Sequence, residues 1–161
     1  NLYELMFEYQ KNINDPVEKL RMVGKGYFEF YSKYPDHFRL LSDIHTPGKF
    51  HPPVDDEKHA MIHDKIRDIW LLITKIVKDG KETGVFREST DPLEVAISLW
   101  SISTSMIKMH DFSKYLSGMD DMHSQSVFAN FDYLRVININ AKRIVYSIMK
   151  NPPQDFESMQ D

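Results

Sequence analysis

"TGVFRESTDPLEVAISLWSISTSMIKM", Thr83 to Met109, opens as a turn and ends in thirteen residues, Val95 to Ile107, without a formal charge. A surface helix normally turns one charged or polar side to water. On a helix, Leu93, Ala96, Trp100, Ser103 and Ile107 share one side, and Val95, Leu99, Ile102, Met106 and Met109 share the other. Both sides are apolar, with serine and threonine between them. Such a helix needs cover all round. Either it lies wholly buried in one molecule, or a second copy covers its far side. We expect the second copy, because symmetric pairs are the commonest assemblies.

The rest of the chain is helical in pattern. Strand-like alternation is nearly absent and apolar residues recur at helical spacing. Leu2 to Ile13 is one helix with Leu2, Leu5, Met6 and Tyr9 on a face. Asp15-Pro16 starts another as cap and first-turn proline. Its stripe is Leu20, Val23 or Gly24, Tyr27, Phe30 or Tyr31, and Tyr34. Tyr34-Pro35-Asp36 breaks it, and a short helix follows through Phe38, Leu41 and Ile44. "HTPGKFHPPV" (His45 to Val54) holds three prolines and a glycine in ten residues and is a loop. Asp55-Asp56 caps a helix reaching about Lys78, with Ile62, Ile66, Ile69, Ile73 and Ile76 on one buried face. Asp79 to Phe86 is a glycine-bearing connector. Thr90-Asp91-Pro92 caps the uncharged helix. Ser113 to Ser126 is an irregular crossing. A last helix runs from about Val127 to Lys150, its stripe Val127, Phe131, Leu134, Ile137 or Asn138, Ala141, Val145 and Ile148. Phe128, Tyr133, Val136, Ile139 and Tyr146 lie off that stripe. The expected fold is all-α, about six helices. The last two long helices of each of two copies form a four-helix dimer interface. Residues 1–150 make one domain and residues 151–161 a polar tail.

Composition narrows function. The 161 residues hold no cysteine and a net charge of −4. No cysteine means no disulfide, thiolate metal site or cysteine nucleophile. An acidic chain has no electrostatic grip on phosphates, so this segment should not hold nucleic acid by itself. A membrane span needs about 20 apolar residues, and the longest apolar runs here are short, such as Ile69 to Ile73. Asn1 is followed directly by "LYELMFEYQ", with no initiator methionine or signal peptide, and we expect a piece of a longer chain.

Three stretches resemble one family. "GKETGVFRESTDPLEVAISLW" (Gly80 to Trp100) is similar to the segment of TetR-type transcriptional regulators in which a glycine-bearing turn, Gly-x-Phe-Arg and Asp-Pro lead into an apolar helix. "PVEKLRMVGKGYFEFYSKYPDHFRLL" (Pro16 to Leu41) resembles their Tyr-x-x-Phe…Pro-x-x-Phe-Arg-Leu-Leu run. "NLYELMFEYQ" resembles the helix after their DNA-reading helix. The order and spacing match over roughly the whole chain. The family's N-terminal helix-turn-helix is absent. The resemblance therefore implies the effector-binding and dimerisation half of a cytoplasmic regulator, with DNA contacted only through the missing module.

The inward aromatic and methionine residues fit a small-molecule site, mostly apolar with a few polar groups. Taken singly, each is equally a core residue. With the resemblance, we expect Tyr27, Phe30, Phe38, Leu41, Trp70, Trp100, Ser103, Met106, Ile107 and His110 to surround an apolar or aromatic effector. Thr104 is a further polar candidate. The expected dimer interface is Val95, Leu99, Ile102, Met106, Phe131, Leu134, Asn138 and Val145. The resemblance also implies two heads about 34 Å apart, one DNA turn. A ligand among Tyr27, Trp70 and Trp100 would tilt the Leu2 to Ile13 helix and release the operator.

His59 and His63 share a helix face at i, i+4, with His45 and His51 before them and Asp55, Asp56 or Asp64 to complete a metal set. The plainer reading is a solvated face, and we expect no metal and no cofactor. Gly-x-Ser-x-Gly, phosphate-cradling glycine loops, His-Glu-x-x-His and paired Glu-x-x-His are all absent, so we expect no enzyme. Lys142-Arg143 is a solvated patch. The competing functions are a helical interaction module and a metal-binding helical bundle.

Overall fold

The computed structural model describes residues 1–43, 56–117 and 132–154. Six helices occupy them: α1 (Leu2–Gln10), α2 (Pro16–Lys33), α3 (Pro35–Asp43), α4 (Asp56–Glu82), α5 (Pro92–Ser117) and α6 (Tyr133–Ile148). Among the described residues there is no strand. The chain is all-α. The loop expected over His45–Val54 and the helix start expected at Val127 lie outside the described residues, as do Ile44, Phe128 and Phe131.

Local chemistry sets the helix starts. The Asp15 carboxylate accepts from the Val17 and Glu18 N–H groups, with Pro16 at the first helical position. Asp91 repeats the device ahead of Pro92, accepting from Leu93 N–H at 2.7 Å. Asp132 caps α6 by accepting from Arg135 N–H at 2.9 Å. Each cap satisfies donors that the first turn leaves without helical partners.

The ends differ from expectation in three places. Helix α1 stops at Gln10 rather than Ile13, where Lys11 closes the last turn onto the Phe7 carbonyl. Helix α2 stops at Lys33, at the expected Tyr34-Pro35-Asp36 break, because a residue before proline is pushed out of the helical region. Tyr34 is thus a cap rather than a stripe residue and is 46% exposed. Helix α4 continues past Lys78 to Glu82. Helix α5 continues through His110 to Ser117, so the first part of the expected irregular crossing is helix.

The chain divides into two compact units, Asn1–Leu93 and Glu94–Asp161. In the first, α1 folds back on α2. A shallow groove lined by Asn1, Glu4, Leu5, Glu8, Lys33 and Tyr34 sets the start of α1 beside the end of α2. Leu2, Met6, Leu20, Val23, Tyr27 and Phe30 are buried. Gly26 is where the two backbones meet: a Cβ there would lie 2.9 Å from Met6 Cα. Gly24, two residues away, has nothing within 4 Å of the same atom.

The α4–α5 connector is a closed structure of its own. The Gly80 carbonyl accepts from the Val85 and Phe86 N–H groups at 2.9 Å each, and Gly84 N–H bonds the Lys81 carbonyl at 2.9 Å. Gly84 takes φ +73°. This is the paired hydrogen-bond end of a Schellman motif, which needs a left-handed residue just past the helix. Phe86 then returns onto Gly80, where a Cβ would meet its ring at 2.2 Å. Phe86 is 1% exposed. Lys81 Nζ donates to the Thr90 carbonyl at 2.9 Å and ties the far end of the connector back to α4.

In the second unit, Val95, Ala96, Ile107, Tyr133, Ile137 and Val145 are buried. On α6 the buried line starts at Tyr133, which the sequence pattern left off the stripe, while Leu134, expected on it, is 58% exposed.

Candidate functional site

Five of the ten expected effector residues fall in the first unit. Tyr27 and Phe30 on α2 and Phe38 on α3 are buried. The Phe38 ring sits edge-on to Tyr27, with centroids 5.5 Å apart, and to Tyr31 at 5.2 Å. The structure thus brings Tyr27 and Phe38 together, with Tyr31 as a neighbour that sequence spacing left undecided. Edge-to-face pairs of this kind add to simple area burial. Leu41 on α3 and Trp70 on α4 are half-buried.

The other five lie on α5, in the second unit. Ile107 is 1% exposed; Trp100, Ser103, Met106 and His110 are half-buried. Their three- and four-residue spacing puts them on one side of the helix. Thr104 is also buried. Ser113 Oγ donates to the His110 carbonyl at 2.8 Å.

His110 is the chemically distinct member. Its ring lies 5.0 Å from that of Tyr133, tilted by 51°. Its Nδ1 is sealed from solvent and has no hydrogen-bond partner among the described residues. Burial holds the imidazole below its ordinary 6.5, the Lys114 cation adds to this, and Asp111 opposes it. The ring is therefore neutral at neutral pH, with one nitrogen protonated and the other carrying a lone pair. Tyr133 was not among the expected contacts, because its inward place depends on the phase of α6.

The expected dimer residues divide by exposure. Val95 and Val145 are buried, Leu99, Ile102 and Met106 half-buried, Leu134 and Asn138 exposed, and Phe131 lies outside the described residues. The large apolar side chains that α5 exposes are others: Leu93 (53%), Ile97 (47%), Met109 (37%), Phe112 (50%) and Tyr115 (63%). Leu93, Ile97, Phe112 and Tyr115 fall on one side at helical spacing. The exposed side of α6 carries Arg135, Lys142 and Arg143.

One cross-helix polar cluster was also invisible in the sequence. The Tyr9 hydroxyl on α1 donates to Glu29 Oε2 on α2. Lys33 Nζ pairs with the other oxygen of that carboxylate. Lys25 Nζ lies 5.2 Å from the Tyr9 ring centroid. Together with the Gly26 contact, these bind α1 to α2.

The backbone of α4 contains both His59 and His63, whose side chains, with those of His45, His51, Asp55 and Asp56, lie outside the described residues. Asp64 is exposed and pairs with Arg67 at 3.0 Å. Among the described residues, no group of three or more His, Asp or Glu is placed to hold a metal, and no helix is long and apolar enough to cross a membrane.

A family model described as "Tetracyclin repressor-like, C-terminal domain" matches residues 16–130, most of the chain. No curated protein and no solved structure matches.

Proposed function

Because the chain belongs to the tetracyclin repressor-like C-terminal domain family, we propose that it is the ligand-sensing and dimerisation part of a cytoplasmic transcriptional regulator, acting as a sensor and not as a catalyst. The family match carries this reading. DNA is contacted by a helix-turn-helix module outside this chain, in keeping with the net charge of −4 here. The effector is an apolar or aromatic small molecule. The candidate contacts form two groups, Tyr27, Phe30, Phe38, Leu41 and Trp70 within the first unit and Trp100, Ser103, Met106, Ile107 and His110 within the second.

A second copy covers the outward side of α5. Leaving side chains as large as Ile97 and Phe112 half in water forgoes about 1 kcal/mol each. Leu99, Ile102 and Met106, on the other side of α5, and the exposed Leu134 and Asn138 on α6 are further candidates for contact with that copy. Sedimentation of the chain as a compact monomer at high concentration overturns this part of the reading.

The signal leaves through α1. The Gly26 contact and the Tyr9–Glu29 hydrogen bond make α1 move with α2 rather than tilt alone. The ligand must bind two arrangements of that pair with different affinity, or nothing shifts. Coupling of about 1–3 kcal/mol changes operator affinity about 5–150-fold. Fluorescence anisotropy of the full-length regulator on its operator, with a panel of apolar and aromatic compounds, tests this. Affinity unchanged across the panel overturns the sensor role.

A further inference from the structure

We propose that His110 is the polar anchor of the effector site in the second unit, and that the effector carries a hydroxyl group on an aromatic body. The proposal rests on the sensor reading above and adds the chemistry that the ligand must present.

The argument starts from an orphaned atom. Buried polar atoms almost always have a hydrogen-bond partner, and those without one call for a reason. His110 Nδ1 has none among the described residues. The nearby Ser113 hydroxyl is already committed to the His110 carbonyl. The surroundings are those of an organic ligand rather than of an ion. Trp100 and Met106 lie on the same side of α5, and the Tyr133 ring stands 5.0 Å from the imidazole. An indole, a thioether and a phenol ring offer apolar contact to an aromatic body, while Nδ1 offers the directional contact that orients it.

The required group follows from the protonation state. A neutral imidazole either donates or accepts at Nδ1, according to its tautomer. A hydroxyl does both, so it satisfies either tautomer without a rearrangement of the site. A carboxylate ligand would need a cation, and the Lys114 charge lies on an exposed side chain. A pure hydrocarbon would leave Nδ1 as it is.

Two probes of nearly equal shape separate the possibilities: 2-naphthol and 2-methylnaphthalene, measured by equilibrium dialysis against the chain and its His110→Phe variant. The expected result is at least tenfold tighter binding of 2-naphthol to the unaltered chain, although the hydrocarbon is the more apolar probe. The variant should bind both probes with similar affinity, and His110→Gln should restore part of the preference. Equal binding of both probes to the unaltered chain overturns the anchor and leaves the apolar sensor site standing, with Nδ1 satisfied by water. A preference that survives His110→Phe also overturns it. Binding of neither probe counts against the apolar site and the anchor together.

Discussion

In the first unit, the places where a side chain is missing are contact points. Met6 backbone lies where a Cβ of Gly26 would be, and the Phe86 ring lies where a Cβ of Gly80 would be. In the second unit the reverse holds. Ile97, Phe112 and Tyr115 are 47%, 50% and 63% exposed, and His110 keeps a buried nitrogen without a partner among the described residues. The first unit also exposes apolar side chains, Leu40 and Leu71 at 57% each, but they sit on different helices. In the second, Ile97, Phe112 and Tyr115 line one side of α5, and on the proposed reading a second copy covers them and a ligand meets His110 Nδ1.

That contrast breaks most visibly at Phe86. Phe86→Ala empties a fully buried site against Gly80 and should cost about 3–5 kcal/mol, read from urea denaturation. A loss below 1 kcal/mol would mean that the connector is not closed. Next are the two glycines of α2. Gly26→Ala forces α1 and α2 apart and should destabilise by about 1–3 kcal/mol. Gly24→Ala meets open space and should stabilise by up to about 1 kcal/mol, since alanine is the better helix former. Equal effects at both positions would remove the claim that Gly26 is a contact.

On the other side of the comparison, Ile97→Ser with Phe112→Ser should leave helix content unchanged. Self-association should weaken at least about tenfold, or about 1.4 kcal/mol, by analytical ultracentrifugation. A doubly substituted chain that dimerises as before would place the interface elsewhere.

The smallest effect is one of pH. Burial holds the folded-state pKa of His110 below the unfolded value. As pH falls, the unfolded chain takes up this proton first, so the folded state loses ground through and below the ordinary histidine range. Lys114 strengthens the effect and Asp111 weakens it. Replacing His110 with Gln removes that contribution. The gap in thermal midpoint between His110→Gln and the parent should therefore shift in the variant's favour on going from about pH 7.5 to about pH 5.5. A constant gap would mean that His110 is not sealed in the folded state.

Much of the architecture was legible because its cues are local. Asp15-Pro16 and Asp91-Pro92 each supply an acceptor and a preset φ within a few residues, and both start helices as read. The glycine-bearing turn was recognisable, yet the reason for its first glycine was not. Gly80 is small because Phe86 returns onto it, and spacing shows the two residues without showing the contact. The extension of α5 to Ser117 was missed because Ser113 and Lys114 look like loop residues. Lys114, Tyr115 and Leu116 are tolerated well in a helix, and no glycine intervenes before Gly118. The site was legible only as residue types. Tyr133 enters through the phase of α6, and the Tyr9–Glu29 contact joins positions twenty apart on different helices.

The seam at Gly26 has a mechanical consequence. Helix α2 has 18 residues, a rod about 27 Å long. Pivoting such a rod by about 5° sweeps its far end through roughly 2 Å. With α1 riveted along its flank, no slack dissipates that stroke, and a small swing becomes a displacement on the scale of a hydrogen bond wherever the rod delivers it.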